Sequence, residues 1–194
     1  MCGILGIYNF IDNRLIINDT IYKLKNLQNR GRDTYGLLYY SYSNKYITII
    51  KEEGDINMGI TGLNIDIGKK YNVSLGYTRY ATSYDNCLND KIFYTQPFLG
   101  NNKNLGKFYL IHNGNLDKDY LRDLYNLRGI EYNHLNDTQI LVKIIETLDI
   151  DNWKELLIII LNKIALAFSL IIYELENNTM YILKDKFGLK PLCI

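Results

Sequence analysis

Apolar positions in this chain fall into short runs near the N-terminus and into three- and four-residue spacing further on. The stretch CGILGIYNF, residues 2–10, is almost wholly apolar around two glycines and predicts a buried strand. In NDTIYKLKNLQNRG, Ile21, Leu24 and Leu27 share a helical face. That predicts a helix with Asn18 or Asp19 as N-cap and Gly31 as its stop. TYGLLYYSYSNKYITIIKEEG predicts a hairpin turning at Ser43–Asn44, and YNVSLGYTRYAT a strand ending at Arg79. From about Ser83 to Gly106 the chain is polar without periodicity and is expected to be a long loop, the kind more often functional than idle. KFYLIHNGNL predicts a strand running into a turn at Asn113–Gly114. Three segments with helical spacing carry Asp119, Asn136 and Asp151 as expected caps. ALAFSLIIYELENNTMYILKD closes with a strand pair around Asn177–Asn178. Strands and helices are grouped rather than alternating, which predicts a layered α+β fold.

The chain has 194 residues, 47% of them hydrophobic and 13% aromatic, enough for a packed core of one domain or two small ones. Its 22 basic and 21 acidic residues leave a net charge of +1, without the electrostatic footprint of a nucleic-acid or anionic-membrane partner. The longest apolar run, LLIIILNKIALAFSLIIY, is interrupted by Asn162 and Lys163 and is too short on either side to span a bilayer. The first apolar stretch has no basic leader, so a cytoplasmic location is expected. The three cysteines, Cys2, Cys87 and Cys193, form no disulfide framework and no paired metal motif.

Several polar residues stand where apolar patterning does not require them. Cys2 directly follows the initiator methionine. If Met1 is removed, Cys2 carries a free α-amine whose pKa, about 7.7–8.0, suits it to act as base toward its own thiol. Arg79 ends an apolar strand, His112, Asn113 and Gly114 follow one another at a strand end, and Asp137 lies in the first turn of a helix. Each also has a local reading: a dipole partner for Asp137, a common turn pair at 113–114, a surface ion pair for Arg79.

The motifs MCGILGIY, LQNRGRDTYG, GYTRYAT, QPF, HNGNL, NDTQ and AFSLIIY…LKDKFGLKPL follow one another along the whole chain. In this order they resemble the class II glutamine amidotransferase domain of the N-terminal-nucleophile hydrolases, and most closely its amidophosphoribosyltransferase branch. The resemblance implies a four-layer αββα sandwich of two antiparallel sheets between helices. It implies that residues 1–194 form one glutaminase domain lacking its last strands, with no synthase domain. It assigns Cys2 as nucleophile, with the Asn113 side chain and Gly114 N–H as oxyanion donors. Arg79 would receive the α-carboxylate of glutamine and Asp137 its α-ammonium, with Arg30, Tyr80, Thr82 and His112 also at the substrate. The reaction it implies is release of ammonia from the glutamine side chain through a thioester, with no cofactor or metal expected.

Ammonia would then pass to phosphoribosyl pyrophosphate, giving phosphoribosylamine for purine synthesis. No stretch resembles a pyrophosphate-binding motif, so a synthase domain or subunit is the expected partner, and Mg(2+) is expected only there. A homo-oligomer is compatible with this reading. Alternatives are a free-standing glutaminase serving a glucosamine-phosphate or asparagine synthetase type of synthase, and a catalytically degenerate regulatory module. Departures from the family pattern are Tyr77 and Asn29, where histidine is usual, Asp33, which is closer to the sugar-phosphate synthases, and Lys190 for arginine.

Overall fold

The computed structural model describes residues 2–13, 15–59, 65, 68–80, 90–125, 134–163 and 167–194. Thr82 and Cys87 lie outside them. The chain forms two compact units, Met1–Pro97 and Phe98–Ile194.

The first unit is one antiparallel sheet and its helices. Its strands are β1 (Gly3–Asn13), β2 (Thr34–Ser41), β3 (Tyr46–Glu53) and β4 (Tyr71–Arg79), ordered β1-β4-β2-β3. The two inner strands, β4 and β2, are buried along nearly their whole length, whereas the edge strand β3 ends in Lys51, Glu52 and Glu53. Charges on an edge discourage pairing with another chain. The β2–β3 hairpin turns at residues 42–45, as its sequence predicts.

Helix α1 (Leu15–Asn26) starts earlier than its sequence predicts. It buries Ile16, Ile17, Thr20 and Leu24, and Asn13 Oδ1 accepts from the Leu15 N–H at 2.8 Å. Asn18 and Asp19 fall inside the helix. Burying the Ile16–Ile17 pair outweighs the modest capping preference of those two residues. The helix stops at Asn26, and the expected stop, Gly31, ends a separate 3-10 turn at Gln28–Arg30. A short helix α2 (Ile56–Gly59) follows β3.

Helix α1 covers one face of the sheet. Thr20 Oγ1 meets Ser74 Oγ at 2.6 Å, and a side chain at Gly76 would meet Leu24. A side chain at Gly3 would strike Thr78 Oγ1 and Leu27. Ser74, Gly76, Thr78 and Gly3 therefore face α1. Strand alternation turns Tyr77, Arg79 and Cys2 to the other face.

The second unit holds β5 (Phe98–Asn102), β6 (Gly106–Gly114), β7 (Phe168–Glu174) and β8 (Thr179–Lys184), antiparallel and in sequence order. Its helices are α3 (Lys118–Tyr125), α4 (Asp137–Thr147) and α5 (Trp153–Lys163). Phe108, Leu110, Leu170 and Ile172 pack with Ile140, Ile144, Leu156 and Ile160 in one core, and the Trp153 ring stacks on Tyr181. Asn136 caps α4, as expected, and Gln139 completes a reciprocal capping box with it.

Two other caps shift by one or two residues. Asp117, not Asp119, accepts from the Tyr120 N–H, and Asn152, not Asp151, from the Glu155 N–H. Part of the expected Ser83–Gly106 loop is ordered structure: a 3-10 turn at Ile92–Tyr94 and the whole of β5. In β5, Phe98, Gly100 and Asn102 are buried alternately with exposed Leu99 and Asn101, a period of two hidden by asparagine-rich composition. Asn113 and Gly114 are not a turn. They end β6, paired with Ser169 and Phe168 of β7. The described helices include none long and apolar enough to cross a membrane.

Candidate active site

In the first unit, Cys2 precedes the first residue of β1 and is half-buried. Its Sγ lies 3.1 Å from Tyr77 Oη and 3.9 Å from the Tyr80 carbonyl oxygen. Arg30 Nε donates to the Cys2 carbonyl at 3.1 Å, so the 3-10 turn holds the backbone that carries the thiol. Gly31 lets that turn lie against β4, because a Cβ there would sit 2.3 Å from the Arg79 carbonyl carbon. The Asp33 N–H then donates to the Arg79 carbonyl at 3.0 Å. Beneath them, the Gln28 side chain donates to the Gly31 carbonyl and accepts from the Ile56 N–H.

Arg79 ends β4, and its guanidinium carbon stands 5.6 Å from the centre of the Tyr94 ring, within reach of a cation–π contact. The side chain of Tyr80, just beyond it, is exposed. Gln96 and Pro97 of the QPF motif lie against β2: a Cβ on Gly36 would come within 1.7 Å of the Gln96 carbonyl oxygen. Cys193, the other cysteine among the described residues, is exposed and free.

In the second unit, Asn113 and Gly114 are the last residues of β6, and Asn113 is buried. Gly114 is sterically required, since a Cβ would lie 2.5 Å from His112 Nε2 and 2.6 Å from the Ala167 carbonyl oxygen. His112 is buried beneath it, its Nδ1 3.0 Å from Thr138 Oγ1. Burial pushes the imidazole below its ordinary pKa. The Asp137 carboxylate opposes that shift and Lys190 adds to it.

Asp137 is half-buried at the first turn of α4. Its Oδ2 accepts from the Leu116 N–H at 2.9 Å and its Oδ1 from the Thr138 N–H at 2.8 Å. The carboxylate thereby ties the segment after Gly114 to the helix N-terminus, where the macrodipole favours an anion.

The structure brings Cys2, Arg30, Arg79 and Tyr80 together in one unit, and His112, Asn113, Gly114 and Asp137 in the other. Tyr77, which motif reading noted only as a departure from the family's histidine, and Thr138 are additional neighbours of these residues. Two-residue alternation along β4 puts Tyr77 on the face of Arg79 and is the sequence signal for the first. Thr138 carries no comparable signal, because its contact with His112 crosses from helix to strand.

The sequence pattern of the glutamine amidotransferase domain matches residues 89–194. The chain belongs to the glutamine amidotransferase family. An amidophosphoribosyltransferase from Methanocaldococcus jannaschii is 29% identical over all of this chain and 40% of its own length. A glutamine–fructose-6-phosphate aminotransferase from Bacteroides thetaiotaomicron is 27% identical over 91% of this chain and 28% of its own. The chain thus spans about two fifths, or less, of the length of these relatives.

Among solved structures, a glutamine phosphoribosylpyrophosphate amidotransferase from B. subtilis, complexed with ADP and GMP, aligns with a TM-score of 0.74 at 26% identity. It covers 98% of this chain and 38% of that one. A second, an allosteric regulatory enzyme of purine biosynthesis, gives 0.76 at 25% identity with the same coverage. These findings bear out the resemblance carried by the motifs. The two antiparallel four-stranded sheets with their helices are the N-terminal-nucleophile hydrolase type of α+β fold, and this amidotransferase domain is of an enzyme family.

Proposed function

We propose that this chain hydrolyses the side-chain amide of glutamine to glutamate and ammonia through a thioester on Cys2. Removal of Met1 frees the α-amine, which takes the thiol proton. The thiolate then attacks the amide carbon, forming a C–S bond, and the C–N bond breaks as ammonia leaves with the proton held by the amine. Water splits the thioester and restores the thiol. Asn113 and the Gly114 N–H donate to the oxyanion, and Arg79 and Asp137 receive the α-carboxylate and α-ammonium. Arg30 holds the Cys2 backbone, while Tyr80, Thr82 and His112 complete the substrate site.

The observation that carries this reading is the placement of Cys2. A half-buried thiol, its backbone fixed by Arg30, shares one sheet face with the arginine best suited to a carboxylate. Treatment with 6-diazo-5-oxo-L-norleucine, followed by intact mass and peptide mapping, tests it. The expected product lacks Met1 and carries one adduct on Cys2, and untreated protein converts glutamine to glutamate. Processed protein that leaves both reagent and glutamine unchanged refutes the proposal.

Phosphoribosyl pyrophosphate is the proposed ammonia acceptor, presented by a synthase domain or partner, with purine biosynthesis as the destination. Support comes from amidophosphoribosyltransferases that match the full length of the chain. A sugar-phosphate acceptor is the second reading, favoured by the aminotransferase relative that matches 91% of it. Amide-15N glutamine supplied with each acceptor and the corresponding synthase separates the two by which product gains the label.

A further inference from the structure

Among the described residues, the Cys2 sulfur has two polar neighbours of opposite character. The Tyr80 carbonyl, 3.9 Å away, can only accept, so it interacts favourably with a thiol S–H and repels a thiolate. Tyr77 Oη, 3.1 Å away, can accept from the thiol or donate to the sulfur. Once the thiol proton is lost the sulfur can only accept, so between these two atoms the phenol O–H is the donor.

The phenol is held for that purpose. Tyr77 is 3% exposed in an inner strand, paired with Ile4 of β1 on one side and Gly36 of β2 on the other. Residues directly opposite share a face, so Ile4 flanks the ring, and the space left by Gly36 is taken by the Gln96 carbonyl and Pro97. Cys2 is fixed from the other end by the Arg30 bond to its carbonyl.

We propose that Tyr77 donates its phenol hydrogen bond to the Cys2 thiolate, holding the sulfur in its attacking position, while the Tyr80 carbonyl engages the resting thiol. This inference deepens the glutaminase reading and rests on it. Tyr77 keeps its own proton throughout, and the proton lost by sulfur goes to the α-amine. The tyrosine is thus a partner of the reacting atom and not the base.

Tyr77→Phe removes one oxygen and leaves the ring. The expected result is a kcat for glutamine about tenfold lower, the rate equivalent of one hydrogen bond to a charged group, with KM within twofold of the parent. Carbamidomethylation of Cys2 by iodoacetamide near pH 7, read by peptide mass, slows by a similar factor, with near-UV circular dichroism unchanged. Unchanged alkylation overturns the proposal whatever happens to turnover, and so does a rise in KM alone. Alkylation needs no glutamine chemistry. A parent protein inert toward glutamine would therefore defeat the glutaminase reading, while the alkylation comparison still decides the role of Tyr77.

Discussion

Asp185 offers the sharpest test of how the C-terminal segment is held. Its Oδ1 accepts from the N–H groups of Phe187 and Leu189, each at 3.0 Å, and its Oδ2 from those of Phe168 at 3.2 Å and Lys190 at 3.3 Å. The side chain is 5% exposed. Burial pushes the carboxyl pKa up, but the four backbone donors outweigh it and hold the group below its ordinary 3.8. In Asp185→Ala all four donors lose their acceptor. Three belong to a segment whose Phe187 and Leu189 side chains are 78% and 67% exposed, so their N–H groups can turn to water. The Phe168 N–H, at the buried start of β7, cannot. Stranding it costs about 1–3 kcal/mol, and exchanging three charge-assisted bonds for water adds roughly 0.5–1 kcal/mol each, about 2.5–6 kcal/mol in all.

For a chain of this size that is a drop of about 5–24 °C in Tm, measured by circular dichroism near neutral pH. Asp185→Asn keeps one acceptor oxygen and should lose about half as much. The pH dependence follows from the direction of the shift. The folded pKa is the lower one, so the carboxylate's contribution is fully present above the unfolded value near 3.8 and disappears as pH falls through the folded value. The gap separating parent from Asp185→Asn should therefore stay constant down to about pH 4 and narrow below it. An alanine variant melting within about 2 °C of the parent, or a gap that narrows already near pH 6, would refute the reasoning.

Arg79→Lys should raise the glutamine KM at least about tenfold with little change in kcat, because a point charge cannot replace a planar two-pronged contact; initial-rate kinetics decide it. Gly36→Ala should destabilise the first unit by about 2 kcal/mol or more, because the added carbon would meet the Gln96 backbone carbonyl and not a yielding side chain; denaturant titration measures the loss. His112 is kept neutral by burial, so its folded pKa lies below the unfolded value near 6.5. Below that pH the unfolded chain binds a proton that the folded one does not, and stability should decline. His112→Gln should flatten this limb in pH-dependent melting curves.

Most elements were legible because helices and strands write their periods into neighbouring residues. The hairpin at residues 42–45, the Asn136 cap and the β7–β8 pair follow directly from spacing and turn chemistry. Reading failed where burial set the boundary: α1 reaches back to take in Ile16 and Ile17, and β5 emerges from asparagine-rich chain because its alternate residues find a core. The site candidates were recognisable as a series of motifs, each named by residue type at a position.

By itself the sequence determined most of the element types, the α+β class and the membership of this chain in an amidotransferase family. Only the tertiary structure decided the strand order β1-β4-β2-β3, which sets Tyr77 against a cysteine 75 residues earlier, and the convergence of four backbone N–H groups on Asp185. The physical reason is range. Local periodicity reflects which face of one element is buried, whereas strand pairing, glycine-sized gaps and carboxylate traps arise from groups distant in sequence and adjacent only after folding.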